Sequence, residues 1–382
     1  MIYLIILIYI IYLNIPSCND NNRKSAYWFL YLLFVFIAGF RYNLGNDTYA
    51  YTQEFKNFPT LFELDIKYIR ESNYQLLWII FESLVRTITN SFYLLQITLA
   101  AFVNFSVFRF IKSNSKKPFF SILLYYLLFY LNLNMEILRE SVCISLLLLA
   151  FPLIGRKQYF KFYVIASIAF LFHNSGIILF IIPLFIGLKL NKRKYIIIII
   201  SLLVLSGFIS VFFSNIIQNI TTLYTFSQFG YFDSLGSVGT TFNTQILLFI
   251  KYVALPTIIL FFFYHYIDDI ERKLIFLYIA SSILYLQIFI FYRVRDYFLI
   301  FLIISFTNGL ITRFSNQIHH QVIKGFALVI FLYITLFRVY YSSTNYDGMQ
   351  LYLHYYPYNS ILNEDIPQSR LRNFAKVGSI RN

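Results

Sequence analysis

Apolar residues in this chain arrive in blocks, such as residues 196–204 and 146–151, joined by short polar links. Such blocks lack the alternation of a barrel strand and are too apolar to coat a soluble domain, so they predict helices that cross a bilayer. Charge content points the same way. Only 13% of the 382 residues are charged, against about 25% in an ordinary soluble domain. The net charge of +14 sits in clusters between apolar blocks, where it reads as a topology signal and not as a nucleic-acid surface. Cys18 and Cys143 stand in different segments with no C-x-x-C spacing, which supports neither a metal site nor a redox pair.

A helix needs about 20 apolar residues to span the hydrocarbon core. The expected fold class is an all-α polytopic integral membrane protein of about twelve transmembrane helices (roughly 10 to 13), with an outward-facing interfacial helix and loops. The predicted spans are 1–15, 26–40, 91–111, 119–131, 141–154, 160–172, 177–188, 195–213, 244–265, 274–291, 297–311 and 324–341. The first has no basic leader or cleavage site and reads as a retained helix. Residues 74–88 carry Glu82 and Arg86 in an apolar pattern and are assigned to an interfacial or re-entrant helix. Arg23 and Lys24, then Lys112, Lys116 and Lys117, then Arg156, Lys157 and Lys161 fall on alternate links. Lys189 to Lys194, then Arg272 and Lys273, and finally Arg313 and Lys324 continue the alternation. These links are expected on the cytoplasmic side, with both termini outside. Residues 1–382 then form a single transmembrane domain, whose polar loops 41–73 and 214–243 and C-terminal tail 342–382 face outwards. No internal repeat is visible by eye.

Polar groups near a membrane are costly to desolvate and raise a functional hypothesis by default. In this topology Arg41, Asp47, Arg139, Glu140, His173, Arg293, Arg295 and Asp296 all lie at the outer face. Each has a plainer reading. Arg41 serves equally as a snorkelling anchor, Asp47 as a turn residue beside Gly45 and Asn46, Arg139 as a partner of Glu136 or Glu140, and His173 as the cap of a tight hairpin. Arg293 and Arg295 resist such a reading, because two arginines on the side where positive charge is disfavoured call for an anion. A guanidinium grips phosphate oxygens bidentately, so a lipid pyrophosphate is the natural ligand. Tyr224, Tyr231 and the run Tyr352 to Tyr358 are of a type that stacks on sugar rings, though interface belts use tyrosine too. G-x-x-x-x-G-K-[ST], H-E-x-x-H, G-x-S-x-G and D-x-D are all absent from the sequence.

Several short pieces occur in a characteristic order. They are Phe40-Arg41 with Gly45-x-Asp47-x-x-x-Tyr51, Glu71 with Tyr74, Met135-x-x-x-Arg139, Phe172-His173-x-Ser175, Arg293 to Tyr297, and Tyr356-Pro357-Tyr358. In this the chain resembles the Wzy-type polysaccharide polymerases of bacteria, specifically the EpsG-like branch. It departs from that pattern with Glu140 where the family usually has Gln, and Asn174 where Pro commonly follows the histidine. The resemblance implies a multi-pass protein of the bacterial cytoplasmic (inner) membrane. It would transfer a growing glycan from its polyprenyl pyrophosphate onto a lipid-linked repeat unit at the outer leaflet, making O antigen, capsule or exopolysaccharide. Such a glycosyltransferase needs neither metal nor cofactor. The catalytic candidates are His173, Asp47 and Arg139; Arg41, Arg139, Arg293 and Arg295 would hold the pyrophosphate; Tyr49, Glu140, Tyr297 and Tyr356 would contact glycan. Expected partners are the polyprenyl-pyrophosphate-linked oligosaccharide, membrane lipid, and a chain-length regulator and flippase of the same pathway. A lipid-glycan flippase or transporter, or an O-antigen-ligase-like transferase, shares much of this profile.

Overall fold

Long Ile, Leu and Phe runs become helices because only a helix satisfies its own backbone where no water reaches. The computed structural model describes residues 2–14, 20–45, 48–220, 242–288, 290–314, 355–363, 367–368 and 370. Among them every extended element is helical, apart from an isolated bridge between Arg41 and Ser360. Stretches Phe92–Asn114, Leu138–Gly155, Gln245–Phe262 and Phe291–Arg313 are long and apolar enough to cross a membrane. Shorter apolar helices occupy Ile2–Leu13, Pro118–Leu128, Tyr159–Phe172 and Asn174–Ile186. The protein is thus a polytopic membrane protein whose described residues form helices. Helices lie in every predicted span except 324–341, which falls outside the described residues.

The chain divides into two compact units, Met1–Pro183 with Leu336–Asn382, and Leu184–Thr335. The first begins with α1 (Ile2–Leu13) and α2 (Asp20–Gly39), followed by the short helices α3 (Thr48–Lys56) and α4 (Ile66–Glu71) and by α5 (Leu76–Ile88). Then come α6 (Phe92–Asn114), α7 (Pro118–Leu128), a π-helical turn at Asn132–Glu136, α8 (Leu138–Gly155) and α9 (Tyr159–Phe172). A 3₁₀ turn at Asn174–Ile177 leads into α10 (Ile178–Ile186). The predicted outer loop 41–73 therefore carries two short helices, and the segment assigned to an interface contains the 13-residue helix α5.

Packing in this unit turns polar groups inwards. Gln96 of α6 donates to the carbonyls of Gly39 and Arg41 at 2.7 and 2.9 Å, which fixes the end of α2 against α6. Asn104 donates to Asn134 at 2.7 Å, and Asn134 to the Tyr125 hydroxyl at 2.9 Å. This closed set holds the π turn that sets the first turn of α8. Outside, the exposed faces of α1 and α2 carry Ile5, Ile8, Phe29 and Leu32, as lipid-facing helices do. Near the C-terminus, Tyr42 donates to the Asn359 carbonyl at 2.8 Å and Ile361 to that of Phe40 at 2.9 Å. A piece of the predicted polar tail is thereby paired with the residues after α2.

The second unit holds α11 (Lys192–Ile220), α12 (Phe242–Phe249), a π turn at Ile250–Ala254, and α13 (Leu255–Phe262). It ends with α14 (Asp269–Tyr285), α15 (Phe291–Asp296) and α16 (Leu299–Arg313). A capping box of Asp268 and Glu271 starts α14, satisfying backbone donors that the first turn leaves open. In the predicted outer loop 214–243, residues 221–241 lie outside the described ones.

Gly45 has φ +99°, and a Cβ there would stand 2.5 Å from the Met135 carbonyl oxygen of the π turn. No L side chain fits without moving that backbone. Gly45→Ala is expected to destabilise the protein by about 1–3 kcal/mol, read as a lower melting temperature in detergent; an unchanged melting temperature would show that this contact does not matter.

Candidate functional site

Arg139 stands in the first turn of α8, on the strand of chain that the π turn delivers. Its Nε donates to the Tyr51 hydroxyl of α3 at 3.1 Å, and its guanidinium lies 4.5 Å from the centroid of the Tyr74 ring. Tyr74 in turn donates its hydroxyl to Glu54 of α3. The arginine is thus braced from two sides while remaining partly exposed. Beneath it Tyr51 packs on Trp78 of α5, ring centroids 6.3 Å apart, in a core shared with Phe55, Leu138 and Val142.

Glu82 lies one turn beyond Trp78 and is 1% exposed. Its Oε2 has no hydrogen-bond partner among the described residues. Burial pushes this carboxyl up to about 8. The Trp78 indole draws it down without reaching hydrogen-bond geometry, Glu54 adds to the rise, and Arg139 opposes it. Nothing in the composition of residues 74–88 singled out Glu82 beyond its disagreement with a span. The signal was the helical wheel, which sets it opposite the stripe of Leu76, Ile80 and Leu84.

His173 caps the end of α9. The Ser175 backbone N–H donates to its Nδ1 at 3.2 Å, with the Ser175 hydroxyl 2.6 Å away. Gly176 allows this turn, since a Cβ there would come within 2.7 Å of the α9 backbone. Cys143 of α8 joins His173 to the arginine: its Sγ lies 3.1 Å from the Ala169 carbonyl, 3.8 Å from that of Arg139 and 4.0 Å from that of His173. Arg139 and His173 therefore belong to adjacent turns of two packed helices.

The other expected residues fall in varied places. Arg41 has no exposed surface; it donates to the carbonyls of Leu44 (3.2 Å) and Ala38 and to the Thr48 hydroxyl (3.5 Å). Asp47 lies outside the described residues, as does the side chain of Tyr49, whose backbone is in α3. Glu140 is buried behind Arg139, and Tyr356 is half exposed beside Tyr355, which donates to Glu136 at 2.6 Å. In the second unit Arg295 chelates Asp296 Oδ1 through Nε and Nη2 at 3.0 and 2.8 Å. Its guanidinium also lies over Tyr252 at 4.2 Å and Tyr285 at 4.9 Å. Arg293 donates to the Tyr292 hydroxyl at 3.0 Å, and Tyr297 is buried. Lys251, in the π turn before α13, packs on Tyr252 at 4.9 Å; sequence reasoning passed over it.

A family model described as the EpsG family matches residues 24–360. The chain belongs to the EpsG family. No curated protein and no solved structure matches it. The family match spans the Arg139 cluster, the His173 hairpin, the Arg293–Asp296 helix and the docked segment through Ser360. Of the ordered motifs in this EpsG-family chain, Tyr51 and Tyr74 brace Arg139, His173 and Ser175 form the turn that ends α9, and Arg293 to Tyr297 lie in the second unit.

A carboxyl held protonated in the fold, while the unfolded chain releases its proton, stabilises the fold at low pH. That contribution is complete below the ordinary value of 4.5 and is lost as pH rises through about 8. Thermal stability of the wild type is expected to fall between pH 5 and 8, and Glu82→Gln to flatten that slope. Equal slopes in the two proteins would contradict the burial of an unpaired acid.

Proposed function

We propose that this chain is a glycosyltransferase that polymerises a lipid-linked oligosaccharide at the outer leaflet of the bacterial cytoplasmic membrane. On this reading about twelve helices span the bilayer, both termini lie outside, and the donor is a glycan on a polyprenyl pyrophosphate. Family membership supports polysaccharide synthesis, and the observation that carries the chemistry is Arg139. Its guanidinium is partly exposed and oriented by the Tyr51 hydroxyl and the Tyr74 ring, and a planar fork of this kind suits the oxygens of a diphosphate.

The reaction breaks the bond between the anomeric carbon and the diphosphate oxygen, so negative charge grows on the leaving group. A cation placed beforehand lowers that barrier, because it does not reorganise as the charge develops. Tyr51, Tyr74 and Glu54 supply the placement. Arg41 directs donors at Ala38, Leu44 and Thr48, which gives it a role in shaping the loop before α3. Arg293 and Arg295 form a second cationic group in the other unit, its tyrosines and Asp296 fixing the guanidinium planes. Pyrophosphate binding by Arg41, Arg293 and Arg295 is part of the proposal, as are glycan contacts by Tyr49, Glu140, Tyr297 and Tyr356.

The test uses lipid-linked oligosaccharide extracted from a producing strain that lacks this chain. Purified wild type in proteoliposomes is expected to extend it into a ladder of lengths, and Arg139→Ala to slow that extension about 10²–10³-fold. Arg139→Lys restores little, since an ammonium has no fork. Translocation of the lipid without any glycosidic bond formed would favour a carrier and overturn this reading.

A further inference from the structure

The wheel of α5 is inverted relative to a helix on a soluble surface. Leu76, Ile80, Leu84 and Ile88 form an exposed stripe at four-residue spacing, whereas Trp78, Glu82, Ser83 and Val85 point inwards. In a membrane-bound chain the apolar stripe meets lipid and the carboxyl enters the protein. A buried carboxyl oxygen that no described residue serves is costly, and in such chains it marks a working site by default. Its neighbours in sequence, Trp78 and Val85, pack in one core with Leu138 and Val142, which flank Arg139 on α8. Glu82 thus faces the cluster in which Arg139 is braced.

We infer that Glu82 is the proton acceptor for the incoming hydroxyl at the Arg139 site, which rests on the glycosyl-transfer reading above. The hydroxyl oxygen of the acceptor sugar attacks the anomeric carbon and forms the new C–O bond. The bond from that carbon to the diphosphate breaks, its electron pair leaving with the phosphate beside Arg139. The hydroxyl proton passes to Glu82 Oε2. His173 is poorly suited to this step. With Nδ1 receiving the Ser175 backbone N–H, the neutral ring carries its hydrogen on Nε2 and is a donor there.

Arg139, Glu54 and Tyr68 interact electrostatically with Glu82, and other titratable groups stand on the elements around α5. Arg139 comes from α8, Glu54 and Tyr51 from α3, Tyr68 from α4, and Tyr74 from the turn before α5. α9 ends in His173, and α6 contributes Tyr93, whose ring packs on Tyr42. Arg86, one turn on along α5, is engaged with Asn90 and with the Lys56 carbonyl at 3.0 Å. Only the ionised carboxylate accepts a proton, so turnover should rise with pH and level off above about 8, the value to which burial pushes this group.

The experiment compares wild type, Glu82→Gln and Glu82→Asp in proteoliposomes, using the lipid-linked oligosaccharide fraction described above. Glu82→Gln is expected to lower turnover about 10²–10⁴-fold, to leave KM within about twofold and to abolish the alkaline rise. Glu82→Asp should restore part of the rate with the pH limb present. A Glu82→Gln protein with wild-type turnover and an unchanged limb overturns the assignment while leaving the polymerase reading intact. Failure of the wild type to extend the oligosaccharide overturns that reading, and the role of Glu82 with it.

Discussion

The cation–π and hydroxyl contacts that brace Arg139 are the interaction on which the rest of this site depends. A guanidinium near a membrane loses hydration that it must recover from the protein or from a ligand. Tyr51 and Tyr74 supply part of it, and Glu54 is held on Tyr74. The arrangement needs α3, α5 and the start of α8 in register. That register comes from the shared core of Phe55, Trp78 and Leu138, and from the π turn that Asn104, Asn134 and Tyr125 hold in place.

The same economy governs the buried polar groups elsewhere. Arg41 answers to backbone carbonyls and a hydroxyl, so its charge shapes the turn after α2. Arg295 answers to Asp296 and two tyrosine faces. Among these side chains, Glu82 is left with an oxygen that no described residue serves. Tertiary packing has placed it where a proton acceptor is useful and a structural ion pair is not formed.

Much of the fold was legible because span length and apolarity are one-dimensional properties. Helices lie where residues 91–111, 141–154 and 160–172 were expected, and the disagreement of Glu82 and Arg86 with a span separated α5 from them. The division into two units was not legible, since no linker or change in composition marks the cut after Pro183. Nor was the pairing of Phe40 and Tyr42 with Asn359 and Ile361, which joins residues more than three hundred positions apart. At the site, Arg139 and His173 were visible as polar residues at helix ends. Their supports were not, because Tyr51, Tyr74 and Trp78 are three aromatics in a chain with 34 tyrosines. Arg41 shows the converse: its type and position invite a ligand role, but only three dimensions reveal that its donors are already engaged.

The central claim is that Arg139 holds a diphosphate carried on a lipid. Native mass spectrometry of the purified protein in nanodiscs containing a polyprenyl diphosphate tests this directly. The account predicts that the wild type retains the lipid and that Arg139→Gln loses it, with a polyprenyl monophosphate held more weakly by the wild type. Equal retention of the diphosphate by both proteins would contradict it.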